Sequence, residues 1–208
     1  MSYYVGDIPA QALVVEPQKM SSAGVSEPVD LAPFTTVEAK LYGPDGALVA
    51  ATFTATIDED VIDITWPTTT PFATAGIYDL RLVLTGTGVR ERVPAVRLVA
   101  DDEDGWHTLD TAREDWRDAP GFDAWLYELL WTAKQDVIAY APALAEDARP
   151  PINYRRAQLM QARNLWNAGK VDPASGGDGD DTFVLRPFPL DWTVKQVLRP
   201  KRAIPTVG

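Results

Sequence analysis

Between residues 36 and 99 apolar and polar side chains alternate with a period of two, and beyond residue 108 the apolar positions recur at helical spacing. In Thr36–Tyr42, Val37, Ala39 and Leu41 fall on one face, and Thr36, Glu38, Lys40 and Tyr42 on the other. Gly43-Pro44-Asp45-Gly46 follows. It is a turn because proline pre-sets φ and glycine tolerates positive φ. The run 47–56 then predicts the return strand of a hairpin. Ile62, Ile64 and Trp66 alternate with Asp63 and Thr65 before Pro67 interrupts, and Tyr78, Leu80, Leu82 and Leu84 alternate again. Gly86-Thr87-Gly88 reverses the chain into a strand over 89–99. Strand-length segments joined by turns predict an immunoglobulin-like β-sandwich over residues 1–100. Gly76-Ile77-Tyr78-Asp79-Leu80 resembles a tyrosine corner, in which the tyrosine hydroxyl bonds back to the backbone.

Asp101-Asp102-Glu103-Asp104-Gly105 predicts a solvated acidic hinge within residues 101–107. Beyond it, Thr108 is a candidate cap for a short helix with Leu109, Ala112 and Trp116 on one face. Residues 122–140 predict the strongest helix. Phe122, Trp125, Leu126, Leu129, Leu130, Ala133, Val137 and Tyr140 make one broad apolar stripe, and Tyr127, Trp131 and Ile138 a second. A helix apolar on two sides must cover both, here in part against another subunit. Pro142 stops it, Asn153 caps the next, and Leu159, Ala162, Leu165 and Trp166 share that helix's inner face until Gly169 ends it. Residues 171–182 (VDPASGGDGDDT) predict a polar loop, 183–187 an extended stretch, and 190–198 a last short helix ended by Pro200. The whole reads as an all-β domain followed by an all-α one, a small α-helical bundle over 108–208 with an extended carboxy-terminal tail.

Six of the seven tryptophans lie after residue 100, a density of amphipathic anchors that suits gripping neighbours. The 208 residues carry 30 acids against 19 bases, a formal net charge of −11, which disfavours a protein that grips nucleic acid through its phosphates. The charge is polarised. Residues 101–118 hold eight acids and two arginines, whereas 194–208 hold four bases and no acid. Opposite patches of this kind suit head-to-tail association. With no cysteine, disulfides and thiolate chemistry are excluded. There is no run of about 18 apolar residues to span a membrane, and MSYYVGDIPAQ lacks the basic-then-apolar order of a secretory signal.

Catalytic and cofactor motifs are not found. His107 is the sole histidine and lacks a nucleophile signature. Ser175-Gly176-Gly177-Asp178-Gly179 lacks the lysine of a phosphate loop, and Asp178, Asp180 and Asp181 depart from the spacing of a calcium loop. No enzyme, cofactor or metal is expected.

From Trp116-Arg117-Asp118-Ala119-Pro120 onwards, and most sharply through NYRRAQLMQARNLWNA (153–168) and RPFPLDWTVKQVLRPK (186–201), the chain resembles head-to-tail adaptor (connector) proteins of long-tailed phages, particularly those infecting actinobacteria. The resemblance covers about residues 106–203, half the chain. The segment before it resembles the immunoglobulin-like domains that phages append to virion proteins. The resemblance implies a homo-oligomeric ring, usually of twelve copies, that binds the portal protein on one side and the next neck protein (stopper) or tail protein on the other. Genome DNA would pass through its channel without specific binding. The implied location is the virion neck, with host cytoplasm during assembly. By that analogy Trp192, Lys195, Leu198, Arg199, Lys201 and Arg202 would dock the portal, and removing residues 194–208 would leave a folded protein unable to join heads. Tyr127, Trp131 and Ile138 would form subunit contacts, and Tyr154, Arg155, Arg163 and Trp166 would serve bundle packing or subunit contacts.

Three other readings are open. One is a receptor- or glycan-binding β-module with a platform on Tyr42 and Trp66. Another is a different neck component, a stopper or tail terminator. The third is a hydrolase built on His107.

Overall fold

A computed structural model describes residues 2–22, 24–145, 148–170 and 190–199. The chain divides into two compact units, Met1–Asp102 and Glu103–Gly208. The strands of the first are β1 (Ser2–Tyr4), β2 (Leu13–Val15), β3 (Gln18–Met20), β4 (Ser26–Pro28), β5 (Thr36–Tyr42), β6 (Thr54–Asp58), β7 (Val61–Thr65), β8 (Gly76–Gly86) and β9 (Val89–Asp101). They make a four-stranded sheet of order β1-β9-β8-β5, a three-stranded sheet β2-β7-β6 and a two-stranded ribbon β3-β4.

The long hairpin β8–β9 forms where the alternation is longest, with Gly88 at φ +74° in its turn and one register shift between Leu80 and Leu82. β1 lies parallel to the end of β9, Ser2 opposite Val99. The predicted hairpin of 36–42 with 47–56 does not form. After the turn, only Leu48 bridges back to Tyr42, and the chain leaves the sheet. β6 pairs instead with β7, Ala55 opposite Ile64, in the second sheet. Of residues 47–53, Val49 and Phe53 pack against the core, and Leu48 is exposed.

Leu41, Ile62, Ile64, Leu80, Leu82 and Leu84 are fully buried together. An aromatic cluster completes this core. Phe72 stacks on Tyr3 at 4.6 Å and meets Tyr78 edge-on at 5.2 Å, and Trp66 lies 5.6 Å from Phe72. The bond expected of Tyr78 is present: its hydroxyl donates to the Thr74 carbonyl at 2.8 Å and accepts from the Thr74 N–H at 3.2 Å.

The second unit contains α1 (Leu109–Asp115), α2 (Asp123–Tyr140), α3 (Ile152–Lys170) and α4 (Trp192–Leu198). Thr108 caps α1 in a reciprocal box with Thr111, whose hydroxyl accepts the Thr108 N–H at 2.9 Å. α2 packs along α3, and α4 covers one end of that pair. Val137, Tyr154, Ala157, Val194 and Leu198 share a buried cluster there with Trp106. Gly169 does not end α3, which runs one residue past it.

The expected fold class is therefore corrected. An immunoglobulin-like sandwich followed by an all-α bundle would need two facing sheets and several helices of comparable length around one axis. Instead, among the described residues, nine strands are spread over three sheets, and two of the four helices have only seven residues. A seven-residue helix spans about two turns and cannot line a bundle core end to end. Nor is 101–105 a solvated hinge throughout. Asp101 is buried as the last residue of β9, and Asp104 accepts from the Trp106 N–H and pairs with Lys134. The predicted loop 171–182, the extended stretch 183–187 and the tail beyond residue 199 lie outside the described residues.

Candidate functional site

α2 buries Leu126, Leu130, Ala133 and Val137, which recur at i, i+4, i+7 and i+11. That leaves an outer face with large apolar groups at both margins. On one margin Phe122 and Trp125 meet edge-to-face at 5.4 Å, with Trp125 53% exposed. On the other lie Trp131 and Ile138, 54% and 50% exposed. At 100° per residue Trp125 and Trp131 point about 120° apart, so the two patches face different directions. Glu128 and Gln135 are exposed between them. Phe122 and Trp125 were expected within the broad stripe; Trp125 stands about 100° round the helix from Leu126, and Phe122 is the N-cap, in extended backbone ahead of the first helical turn.

The residues expected at subunit contacts divide. Trp131 and Ile138 are exposed, whereas Tyr127, Arg155, Arg163 and Trp166 are half-buried. Tyr154 is buried and its hydroxyl donates to the Pro142 carbonyl at 2.7 Å, so it packs within its own unit. Of the residues expected to dock a portal, Trp192 is 63% exposed. Lys195 Nζ and the Arg199 guanidinium lie 5.7 and 4.8 Å from the centre of the Tyr140 ring. Leu198 is buried beside Val194 and cannot dock anything while α4 is folded. Lys201 and Arg202 lie outside the described residues.

Sequence reasoning missed the polar ties inside this unit. The Gln158 Oε1 accepts from the His107 N–H at 3.0 Å, and its Nε2 donates to the Leu130 carbonyl at 3.0 Å, joining three segments at one buried amide. Gln161 donates to Asp136 at 2.8 Å. Helical periodicity could have flagged both, since they fall among Ala157, Leu159 and Ala162 on the inner face.

His107 is buried, its Nδ1 3.3 Å from the Thr111 hydroxyl. That hydroxyl is engaged in the α1 cap, so it is no free nucleophile and the hydrolase reading gains nothing. Burial, then the nearby Arg155 charge, pushes the imidazole below the ordinary histidine value; Arg163 adds to this and Asp115 opposes it. Above about pH 6.5 the ring is neutral folded or unfolded, and its contribution to stability is complete. As pH falls below that, the unfolded chain binds a proton that the fold resists, so stability drops. Thermal melting of the helical unit should therefore decline between pH 7.5 and 5.5. His107→Gln should flatten that slope, and an unchanged slope in the variant would assign it to other groups.

The glycan platform is also corrected. Trp66 is buried against Tyr3, Phe53 and Phe72, so it cannot share an outer surface with Tyr42, whose ring is covered by the Arg81 guanidinium at 4.2 Å. Among the described residues no group of histidines and carboxylates could hold a metal, and no helix is long and apolar enough to cross a membrane. Asp178, Asp180 and Asp181 lie outside those residues. Comparison with protein-family models, with curated proteins and with solved structures finds no match.

Proposed function

We propose that this protein is a structural assembly component of a phage virion, an adaptor that forms a homo-oligomeric ring between the portal protein and the next neck or tail protein. The observation that carries the reading is the pair of apolar patches at opposite margins of α2. A ring needs a heterologous interface, two different patches on each copy. Phe122 with Trp125, and Trp131 with Ile138, supply two such patches on one rigid element. The occupant of each is a second copy of this chain. An interface of roughly 1,200–2,000 Å² centred on a tryptophan is the standard size for a specific contact. The exposed Trp192 on α4 is left to face the portal. The net charge of −11 supports a channel through which DNA slides without being held.

The test is Trp131→Glu with Ile138→Glu. Both side chains are already exposed, so circular dichroism should show an unchanged fold and a melting temperature within a few degrees of the parent. Rings on purified portal complexes, counted by electron microscopy, should vanish, because each contact would bury two unpaired charges. Normal rings from the double variant would exclude this edge as the interface. Particles in which this chain lies away from the portal vertex would exclude the adaptor role itself. A requirement for another adaptor before portal binding would assign it to the stopper position.

A further inference from the structure

α3 carries a second feature, apart from the two apolar patches of α2. Arg155, Arg156 and Arg163 sit at i, i+1 and i+8, within one arc of the helix, and line a cleft of about 520 Å³ whose apolar floor includes Leu159 and Met160. Across it stand His107 and Asp115. Arg163 is held in place: its Nη2 donates to the Asp115 carbonyl, and its guanidinium lies 5.8 Å from the centre of the Trp116 ring. The Nε atoms of Arg155 and Arg163 are nevertheless buried and, among the described residues, have no hydrogen-bond partner. Buried polar groups are satisfied in the great majority of cases, and a charged donor left unmatched is the costly exception. Among the described residues lining the cleft, three are arginines and one, Asp115, is an acid.

We propose that this cleft is a binding site for an acidic peptide segment of a protein partner, its carboxylates taken by Arg155, Arg156 and Arg163 and its apolar side chains by Leu159 and Met160. A guanidinium presents a planar fork of donors that matches a carboxylate in two parallel bonds. The apolar floor fits a peptide better than a bare phosphate. A nucleic acid would bring many charges against a chain of net −11, whereas a short acidic segment brings a few to a cleft where cations outnumber acids. The site stands independently of the ring.

The probe is a fluorescein-labelled peptide of sequence Glu-Leu-Glu-Glu-Leu-Glu, followed by anisotropy with the full-length protein. Saturable binding that weakens with salt is expected. Arg155→Gln and Arg163→Gln should each weaken it about tenfold, the loss of one charge-assisted pair. Arg156→Gln keeps the test open should the half-buried arginines prove necessary for folding, because its side chain is exposed; it too should weaken binding. Arg117→Gln, an exposed arginine outside the cleft, should bind as the parent does. His107 gives a second readout. As the sole histidine its ring resonances are unambiguous, and a bound carboxylate nearby should raise its titration midpoint. No saturable binding at millimolar peptide, or parental affinity in all three cleft variants, would overturn the proposal. Displacement of the peptide by a short DNA duplex at lower concentration would overturn it in favour of a phosphate backbone.

Discussion

Phe72→Ala should destabilise the β unit by about 3–5 kcal/mol, the range for deleting a buried ring. Phe72 is fully buried, stacks on Tyr3, meets Tyr78 edge-on and touches Trp66. Each aromatic pairing adds about 0.5–1.5 kcal/mol beyond burial. Its backbone carbonyl also accepts the Gly6 N–H at 2.9 Å, so disorder at this position would loosen the chain just after β1. With domain stabilities of about 5–15 kcal/mol, the variant should sit near the edge of folding. Amide hydrogen exchange in β5 and β8 is the measurement. Protection should collapse in Phe72→Ala and largely survive in Phe72→Leu, which keeps most of the volume. Full protection in the alanine variant would show that the cluster is not the keystone of this core.

The second large effect concerns the carboxy-terminal helix. A chain lacking residues 194–208 should lose the cooperative fold of its helical unit, contrary to the expectation from sequence that it would stay folded. Val194 and Leu198 are buried with Trp106, Val137, Tyr154 and Ala157. Fully burying side chains of this size contributes about 1.5–3 kcal/mol each, so the pair accounts for much of a small unit's margin. The truncation would also remove the Val197 carbonyl that accepts from Asn153 Nδ2 at 3.3 Å, and would expose the Tyr140 ring. Urea unfolding followed by tryptophan fluorescence should show a broad transition at low denaturant, and Leu198→Ala alone should cost about 2–5 kcal/mol. A cleanly folded truncated protein would mean that α4 is a detachable arm after all.

Local chemistry was readable wherever one residue's neighbours in sequence decide its state. The Thr108 cap, the glycine-bearing turn at 86–88, the span of β5 and the long run of α2 all follow from period, cap and turn residues acting within a few positions. The bond from Tyr78 to residue 74 belongs to the same class, four residues from its partner. The short strands β1 to β4 were not readable, because three residues carry too little pattern to show a period.

The sequence by itself determined where apolar surface occurs, how the charge is divided, and that α2 carries more apolar surface than one neighbour can cover. Only the tertiary structure decided which of that surface stays open. Trp66 and Leu198, offered as contact residues by their chemistry, turned inward; Trp131 and Trp125 stayed outside. Side-chain type sets the free energy available on burial, but which groups meet depends on partners distant in sequence. Pairing β6 with β7 rather than β5, and seating α4 against α2 and α3, are choices made by packing between segments, and no local period encodes them.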